Sequence, residues 1–177
     1  MGSESKFIEF HRKHKEETIW KALVKFTLSS GFDRFRVEYY LAGELDKKIW
    51  DFKISDEPAP ESSGSAVFLC DFNTKGHVGK PSINQRRILI GSFNESSAKI
   101  LGKMPPSHSY GFIRREILSG QGGALVIPGS DEPVLSLPSN SLFDSLLKFI
   151  KTEGLNYKIH DSFPGKSGSV VCSVEVG

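Results

Sequence analysis

The clearest hydrophobic pattern lies near the end of the chain. Ser141 and Asp144 stand at capping-box spacing, and Gly154 suits the left-handed conformation that ends a helix. Between them, apolar residues recur at three- and four-residue intervals, the spacing of one buried helix face. This pattern predicts a helix over residues 141–153. Its apolar positions are Leu142, Phe143, Leu146, Leu147, Phe149 and Ile150.

Two alternating segments follow this helix and are separated by a turn over residues 161–168. Alternation of apolar and polar residues is the period of a half-buried strand. The chain therefore ends as helix, strand, turn, strand, and the apolar face of the helix requires a sheet to cover it. The alternating apolar residues are Leu155, Tyr157 and Ile159, then Val170, Cys172, Val174 and Val176.

Alternation is also strong over residues 18–28, which we predict to be a strand. Asp33 then stands where it would cap a helix, whose apolar side would carry Val37, Tyr40, Leu41, Leu45 and Ile49. Residues 34–41 also fit a hairpin strand, which is the alternative to that helix. The alternating apolar residues of the first strand are Trp20, Ala22, Val24, Phe26 and Leu28.

The remaining patterns predict strands joined by loops, with an irregular segment over residues 94–109. Proline, glycine and serine mark mobile loops at 56–65 and 73–82. The predicted fold is one α+β domain over residues 18–177, an antiparallel sheet covered by two or three helices. Residues 1–17 are predicted to be a charged, mobile arm. The further strands are predicted at residues 50–54, 66–72, 87–93, 110–118 and 124–127.

Composition narrows the classes of function. The chain has 177 residues, 38% of them hydrophobic, which suits one folded domain. Its formal net charge of +2 is too mild to indicate nucleic-acid binding by itself. Cys70 and Cys172 lie in strand-like apolar runs, so buried free thiols are expected rather than a disulfide framework.

Short catalytic and phosphate-binding motifs are incomplete in this sequence. Gly165-Lys166-Ser167 would need a glycine at position 160 to form a phosphate loop, and His160 stands there. His11 and His14 are spaced as a possible metal pair, but no nearby ligand completes a site. The sequence therefore predicts a protein without cofactor or metal, and not an enzyme. An enzyme of unrecognised type stays open as an alternative, because acid–base chemistry needs no short motif.

Two segments are candidate contact sites. Arg12, Lys13 and Lys15 form a short basic cluster, and Phe7 and Phe10 beside it offer apolar contacts to an anionic membrane or a nucleocapsid. The alternative interpretation is that this cluster belongs to a solvated arm or helix start and makes no such contact. The second segment is the acidic loop 56–65, whose restricted backbone loses little entropy on docking. It is a candidate for self-association through Pro58, Ala59 and Pro60, with the loop 73–82 as the alternative contact and a solvated connector as the other interpretation.

The order of these segments resembles the matrix proteins of rhabdoviruses, especially the short proteins of plant-infecting members. The resemblance implies a first strand, a helix, a central strand with its turn, a Pro-Pro segment, and a last helix followed by two strands. The Lys-rich tail of the animal-virus members is reduced here to residues 6–15, and their N-terminal Pro-Pro-x-Tyr motif is absent. The matching segments are 19–30, 32–43, 87–97, 103–106 and 139–149 with Gly154.

The resemblance implies a viral structural protein of the virion that acts in assembly and budding. Its partners would be further copies of itself, the viral nucleocapsid, the anionic membrane and host proteins. It would be located in the virion, the host cytoplasm and the inner membrane face, with the nucleus as a further location. A nucleic-acid-binding module or RNA-silencing suppressor is the alternative, with phosphate contacts from Arg86, Arg87, Arg114 and Arg115. Neighbouring arginines in a strand point to opposite faces, so only one of each pair would share a surface.

Overall fold

The computed structural model describes three helices and nine strands. The described residues are 4–40, 66–68, 86–103, 112–128, 132–165 and 168–177. The helices are α1 (Glu16–Ser29), α2 (Glu95–Lys103) and α3 (Asn140–Thr152). The strands are β1 (Glu4–Phe10), β2 (Arg34–Tyr40), β3 (Ala66–Phe68), β4 (Arg86–Ser92), β5 (Phe112–Leu118), β6 (Ala124–Pro128), β7 (Val134–Leu137), β8 (Tyr157–His160) and β9 (Val171–Val176).

All nine described strands form one sheet, in the order β3-β4-β2-β5-β6-β7-β9-β1-β8. The chain therefore has the expected mixture of helix and sheet, although the sheet is larger than its sequence pattern suggested. The prediction of an antiparallel sheet is wrong at one place, because β7 and β9 pair in parallel. The chain runs from β7 through α3 and β8 before it returns as β9, and this longer connection permits the parallel pair.

Strand β1 lies inside the sheet, so the prediction of a mobile arm is wrong over residues 4–10. It pairs antiparallel with β9 on one side and with β8 on the other. Ile8 and Phe10 are completely buried. The charged residues that suggested an arm occupy alternate or terminal positions of the strand, while the apolar positions between them enter the core. The two predicted terminal strands are present as β8 and β9, but β1 separates them.

Helix α1 replaces the strand predicted over residues 18–28. The alternating apolar set was only part of the buried surface, which also includes Ile19, Leu23 and Thr27. These residues occur at four-residue spacing and would lie on the outer face of a strand. The exposed positions Lys21 and Lys25 are also four apart, and Lys21 Nζ lies 2.9 Å from Glu17 Oε1. That polar stripe is the helical signal.

Residues 34–40 form strand β2, so the helix predicted after Asp33 is wrong over the described part. The alternative is right in giving a strand there, but its hairpin with residues 18–28 is wrong, because that segment is α1 and β2 pairs with β4 and β5. The backbone of Asp33 is already used in the sheet. Its N–H donates to the Leu118 carbonyl at 3.0 Å, and its carbonyl accepts from Phe93 N–H at 2.8 Å. Phe35 and Val37 point into the core from alternate positions. Pairing on both sides with β4 and β5 therefore outweighs the weak helical periodicity.

Helix α2 occupies part of the segment predicted to be irregular. Asn94 and Ser97 cap its start reciprocally, because Asn94 N–H donates to Ser97 Oγ at 2.8 Å and Ser97 N–H donates to Asn94 Oδ1 at 3.1 Å. This is the hydrogen-bond pattern of a capping box with Asn and Ser in its two positions. The indole N–H of Trp20 donates to the Leu101 carbonyl and joins α2 to α1.

Helix α3 confirms the predicted terminal helix, with a different cap. Ser139 is the N-cap residue, and its hydroxyl accepts from Leu142 N–H at 3.4 Å, so the predicted capping box at Ser141 is wrong. Gly154 has a φ of 74°, as expected for the residue that ends the helix. The Leu155 N–H donates to the Ile150 carbonyl at 3.1 Å, which completes the Schellman arrangement.

The helices of the described chain pack on one face of the sheet. Sheet residues on that face are buried, among them Phe35, Ile117, Leu125 and Leu135. The strands predicted at 87–93, 110–118 and 124–127 correspond to β4, β5 and β6. The predicted strand 66–72 is described only at β3, and predictions for residues 50–54, 56–65 and 73–82 lie outside the described residues.

The contact between Gly91 and Phe35 gives a test of the sheet register. These residues are opposite each other on β4 and β2, and a Cβ atom added to Gly91 would lie 2.5 Å from Phe35 Cε1. We expect Gly91→Ala to lower the free energy of unfolding by about 1–3 kcal/mol, as overpacking does in a dense core. Urea denaturation followed by circular dichroism measures this change.

Gly102→Ala is the matched control, because its added Cβ would meet Lys21 Cγ at an ordinary 3.6 Å. It should leave stability unchanged or raise it through helix propensity, by up to about 1 kcal/mol. Equal stability of the two variants would contradict the register.

Candidate interaction surfaces

The basic cluster lies in the turn that joins β1 to α1. Arg12, Lys13 and Lys15 are all exposed there, so their charged ends face solvent. The turn is closed by His14 N–H, which donates to the His11 carbonyl at 3.0 Å. The structure therefore places the three predicted basic contacts together on a short, defined turn. We call residues 11–15 the basic turn.

Two histidines hold the basic turn in place. Lys13 N–H donates to His11 Nδ1 at 3.2 Å, and Asn156 N–H donates to His14 Nε2 at 2.9 Å. The two rings thus accept hydrogen bonds that tie the turn to itself and to the segment before β8.

The predicted aromatic contacts do not accompany the basic turn. Phe10 is fully buried, so it is unavailable to a membrane, and Ile8 beside it is buried as well. Phe7 is half-buried and packs edge-on against Phe163, with ring centroids 6.0 Å apart. Strand geometry explains both positions, because alternation turns Phe10 into the core on one face of the sheet and leaves Phe7 on the other face, against Phe163.

A polar cleft of about 550 Å³ adjoins the basic turn. Its lining includes Arg12 and Lys158 together with the carboxylate of Glu9. Glu9 Oε1 lies 3.1 Å from His160 Nε2, and Ser169 Oγ donates to Glu9 Oε2 at 2.9 Å. The carboxylate thus stands between the serine and the histidine. This order lacks the Ser–His contact that would activate a nucleophile.

A second groove, of about 650 Å³, separates α1 from α2. Val24, Leu28 and Ala98 contribute apolar surface, and three lysines lie along its rim. Lys21 pairs with Glu17, and Lys25 Nζ lies 2.9 Å from Glu153 Oε1. These ion pairs offset most of the positive charge at the rim. The lysines of the groove are Lys21, Lys25 and Lys99.

The arginines proposed as phosphate contacts separate as strand geometry requires. Arg114 is exposed, whereas Arg115 is 1% exposed and stacks over the Trp20 ring, 4.9 Å from its centroid. Desolvation lowers the pKa of Arg115 to about 10, so the guanidinium stays charged at neutral pH. Arg115 is therefore part of the core. Arg86 and Arg87 lie on β4, at its first two positions.

The thiol of Cys172 lies in an environment that makes it unreactive. Cys172 is free and completely buried, as predicted, and burial raises its pKa to about 12. A thiol with that pKa is almost wholly protonated at neutral pH and is a poor nucleophile. Cys70, His77 and His108 lie outside the described residues, as do Pro58, Ala59 and Pro60.

The described residues contain neither a metal-binding cluster nor a membrane-spanning helix. Within the described ranges, no group of three or more His, Cys, Asp and Glu side chains is placed to hold a metal ion. Among the helices described here, none combines the length and hydrophobicity needed to cross a membrane. Comparisons with protein-family models, with curated proteins and with solved structures returned no match.

The resemblance to rhabdovirus matrix proteins remains a hypothesis based on the sequence. It implied a strand over residues 19–30, where the structure has α1. It also implied a helix over 32–43, and the described part of that range contains β2, Arg34–Tyr40. It also implied a last helix followed by two strands, and α3, β8 and β9 are present.

No local sequence pattern predicts the Glu9–His160–Ser169 cluster or the groove between the helices. Glu9 and His160 are 151 positions apart, and only the β1–β8 pairing brings them together. The groove depends on α2, whose capping sequence was the available signal. An Asn or Ser followed three residues later by a polar partner would have located the start of that helix.

Substitutions of Arg115 test whether the buried cation depends on stacking. Arg115→Lys should lower the free energy of unfolding by about 2 kcal/mol or more, because a compact ammonium is more strongly hydrated and stacks less well. Arg115→Met keeps most of the bulk without a buried charge, and we expect a change within about 1 kcal/mol. Thermal and urea denaturation of both variants measures the difference. A lysine variant as stable as the methionine variant would contradict this account.

Proposed function

We propose that this chain is a single-domain, non-enzymatic viral matrix protein of the rhabdovirus type. It self-associates, condenses the nucleocapsid and bridges it to an anionic membrane during assembly and budding. The observation that carries the membrane part of this proposal is the basic turn, where Arg12, Lys13 and Lys15 are exposed together. Lys158 extends the positive surface along the adjoining cleft.

The proposed contact is electrostatic. Each basic residue near an anionic membrane contributes about 1 kcal/mol, so three residues give weak binding that salt reduces. Ile8 and Phe10 are buried and contribute no insertion into lipid. Weak single contacts suit a protein that acts as an array, because many copies bind one surface together.

The proposed self-association retains the acidic loop 56–65, with Pro58, Ala59 and Pro60 as contacts on a neighbouring copy. Its support is the sequence, since two prolines limit the conformations that the loop loses when it docks. Loop-to-neighbour contacts are heterologous, and repeated contacts of this kind extend into filaments or lattices. The partners under this proposal are further copies, the nucleocapsid, the membrane and host proteins.

A nucleic-acid-binding module is the second candidate, and one arrangement favours it. By strand register, Arg34, Arg36 and Arg114 occupy the sheet face opposite Arg115. Arg36 Nη1 lies 3.8 Å from Glu116 Oε2, and Arg114 also pairs with Glu116. This carboxylate offsets part of the positive charge, so the basic turn is the stronger anionic contact.

The membrane part is tested by sedimentation with vesicles that contain phosphatidylserine. Binding should fall between low and physiological salt, because screening weakens each contact. Replacing Arg12, Lys13 and Lys15 together by glutamine should reduce low-salt binding at least about tenfold, since more than 1.4 kcal/mol is removed.

A control variant with the same change in net charge replaces Lys99, Lys148 and Lys151, which are also exposed. When both triple variants are compared at about 0.1 M salt, binding of this control should stay within about threefold of the unsubstituted chain, because charges more than about 10 Å from the contact are largely screened there. Equal losses in both triple variants, or no loss in the first, would refute the basic turn as the contact.

Self-association is tested by sedimentation velocity over a wide concentration range at low and moderate salt. The unsubstituted chain should form larger species cooperatively, and replacement of Pro58 and Pro60 by glycine should shift this assembly to higher concentration. Replacement of Pro128 and Pro138 by glycine provides the control. A chain that stays monomeric under every condition would overturn the matrix proposal.

A further inference from the structure

Strand β8 is an exposed edge of the sheet, and it carries an unusual amount of apolar surface. Among the described strands, the order ends at β8, whose one partner there is β1. Ile159 is 44% exposed and Phe163, just beyond the strand, is 49% exposed. They are the exposed large hydrophobic residues of the described chain. Apolar surface beside an open strand edge marks a place where another strand adds.

The hydrogen bonds of β1 show which groups of β8 point outward. Phe10 N–H donates to the Val170 carbonyl, toward β9, whereas His11 N–H donates to the Asn156 carbonyl, toward β8. In an antiparallel strand, alternate residues direct both backbone groups to the same neighbour. Lys158 and His160 therefore bond to β1, and the N–H and C=O of Ile159 point away from the sheet.

The outward groups of β8 belong to Tyr157 and Ile159. Their residues have no further backbone hydrogen bond to a turn or loop of the described chain. Ile159 is also opposite Ile8, which is opposite Cys172 on β9. The exposed side chain of Ile159 thus continues a buried apolar row to the edge of the sheet.

We propose that β8 pairs antiparallel with β8 of a second copy across a two-fold axis at Ile159. In this register Ile159 is opposite itself, and the two residues exchange both N–H···O=C bonds. Tyr157 is then opposite Asp161 of the second copy. The two sheets become one, and each Ile159 side chain covers the other. This inference rests on the self-association part of the proposed function and deepens it, through residues other than those of the loop 56–65.

Charge favours a second copy as the occupant. On the other face of the strand, Lys158 comes opposite His160 of the second copy. His160 Nε2 is 3.1 Å from Glu9 Oε1 in its own chain, so the ammonium approaches a carboxylate. Because the axis repeats this contact, each copy supplies both signs. An edge lysine that discourages pairing with other strands is therefore compensated in this pairing.

Cysteine cross-linking tests the register. Directly opposite residues in a hydrogen-bonded pair have Cα atoms about 5.5 Å apart, which suits a disulfide. In the proposed register, Lys158 is offset by two residues from Lys158 of the second copy. The strand rise and the spacing between strands then put their two Cα atoms about 8 Å apart. Ile159→Cys should therefore form disulfide-linked dimers at least about tenfold faster than Lys158→Cys under mild oxidation. The unsubstituted chain measures the background from Cys70 and Cys172.

Sedimentation of Ile159→Pro tests the outward hydrogen bonds. Proline removes an N–H that points away from β1, so the strand keeps its bonds to the sheet. We expect an unchanged melting temperature within about 3 °C, with dimerisation weakened at least about tenfold. Ile159→Val keeps the N–H and should dimerise within about threefold of the unsubstituted chain.

The outcomes separate this inference from the proposed function. Equal cross-linking at positions 158 and 159, or undiminished dimers of Ile159→Pro, overturns the β8 pairing. If the proline variant keeps its assembly while the Pro58 and Pro60 variant loses it, self-association stands and the edge pairing falls. If the unsubstituted chain is monomeric throughout, both are overturned.

Discussion

The insertion of β1 between β8 and β9 is the interaction on which the rest of the structure depends. It joins residues near position 8 to residues near 159 and 172, and it completes one end of the nine-stranded sheet. Without it, β8 would have no partner in the described sheet. The basic turn, the polar cleft and the exposed edge are all positioned by this strand. The candidate surfaces are therefore products of one long-range pairing.

The helical layer adds a second constraint, because α1 is buried on several sides. It contacts α2 through the Trp20 indole and α3 through Phe26, whose ring centroid lies 5.7 Å from that of Phe149. Beneath it, the Trp20 ring covers the Arg115 guanidinium. A planar cation fits this place because it presents a weakly hydrated face to the ring. Helix α1 thereby connects α2 with α3 and covers part of the buried core.

Local sequence predicted the parts of the fold that depend on local interactions. The helix α3, its glycine end and the strands β4, β5, β6, β8 and β9 follow from periodicity and turn residues. The failures at α1 and β2 arose because short segments fitted two periods, and packing selected between them. The place of β1 depends on partners about 150 residues away, which a local pattern does not contain. Among the candidate contacts, the three basic residues are together and exposed, whereas Phe10 is buried for the same long-range reason.

The central place of β1 also has a consequence for folding during synthesis. The ribosome makes this strand before the other described strands, and its neighbours β8 and β9 emerge about 150 residues later. At a synthesis rate of about 5–20 residues per second, roughly 8–30 seconds pass between the synthesis of β1 and that of its partner strands. During that wait its apolar side chains are available to chaperones and to the same segment of other nascent chains. Pairings of such high contact order also close slowly once they become possible. The rate at which the last strands arrive thus governs when the sheet becomes complete.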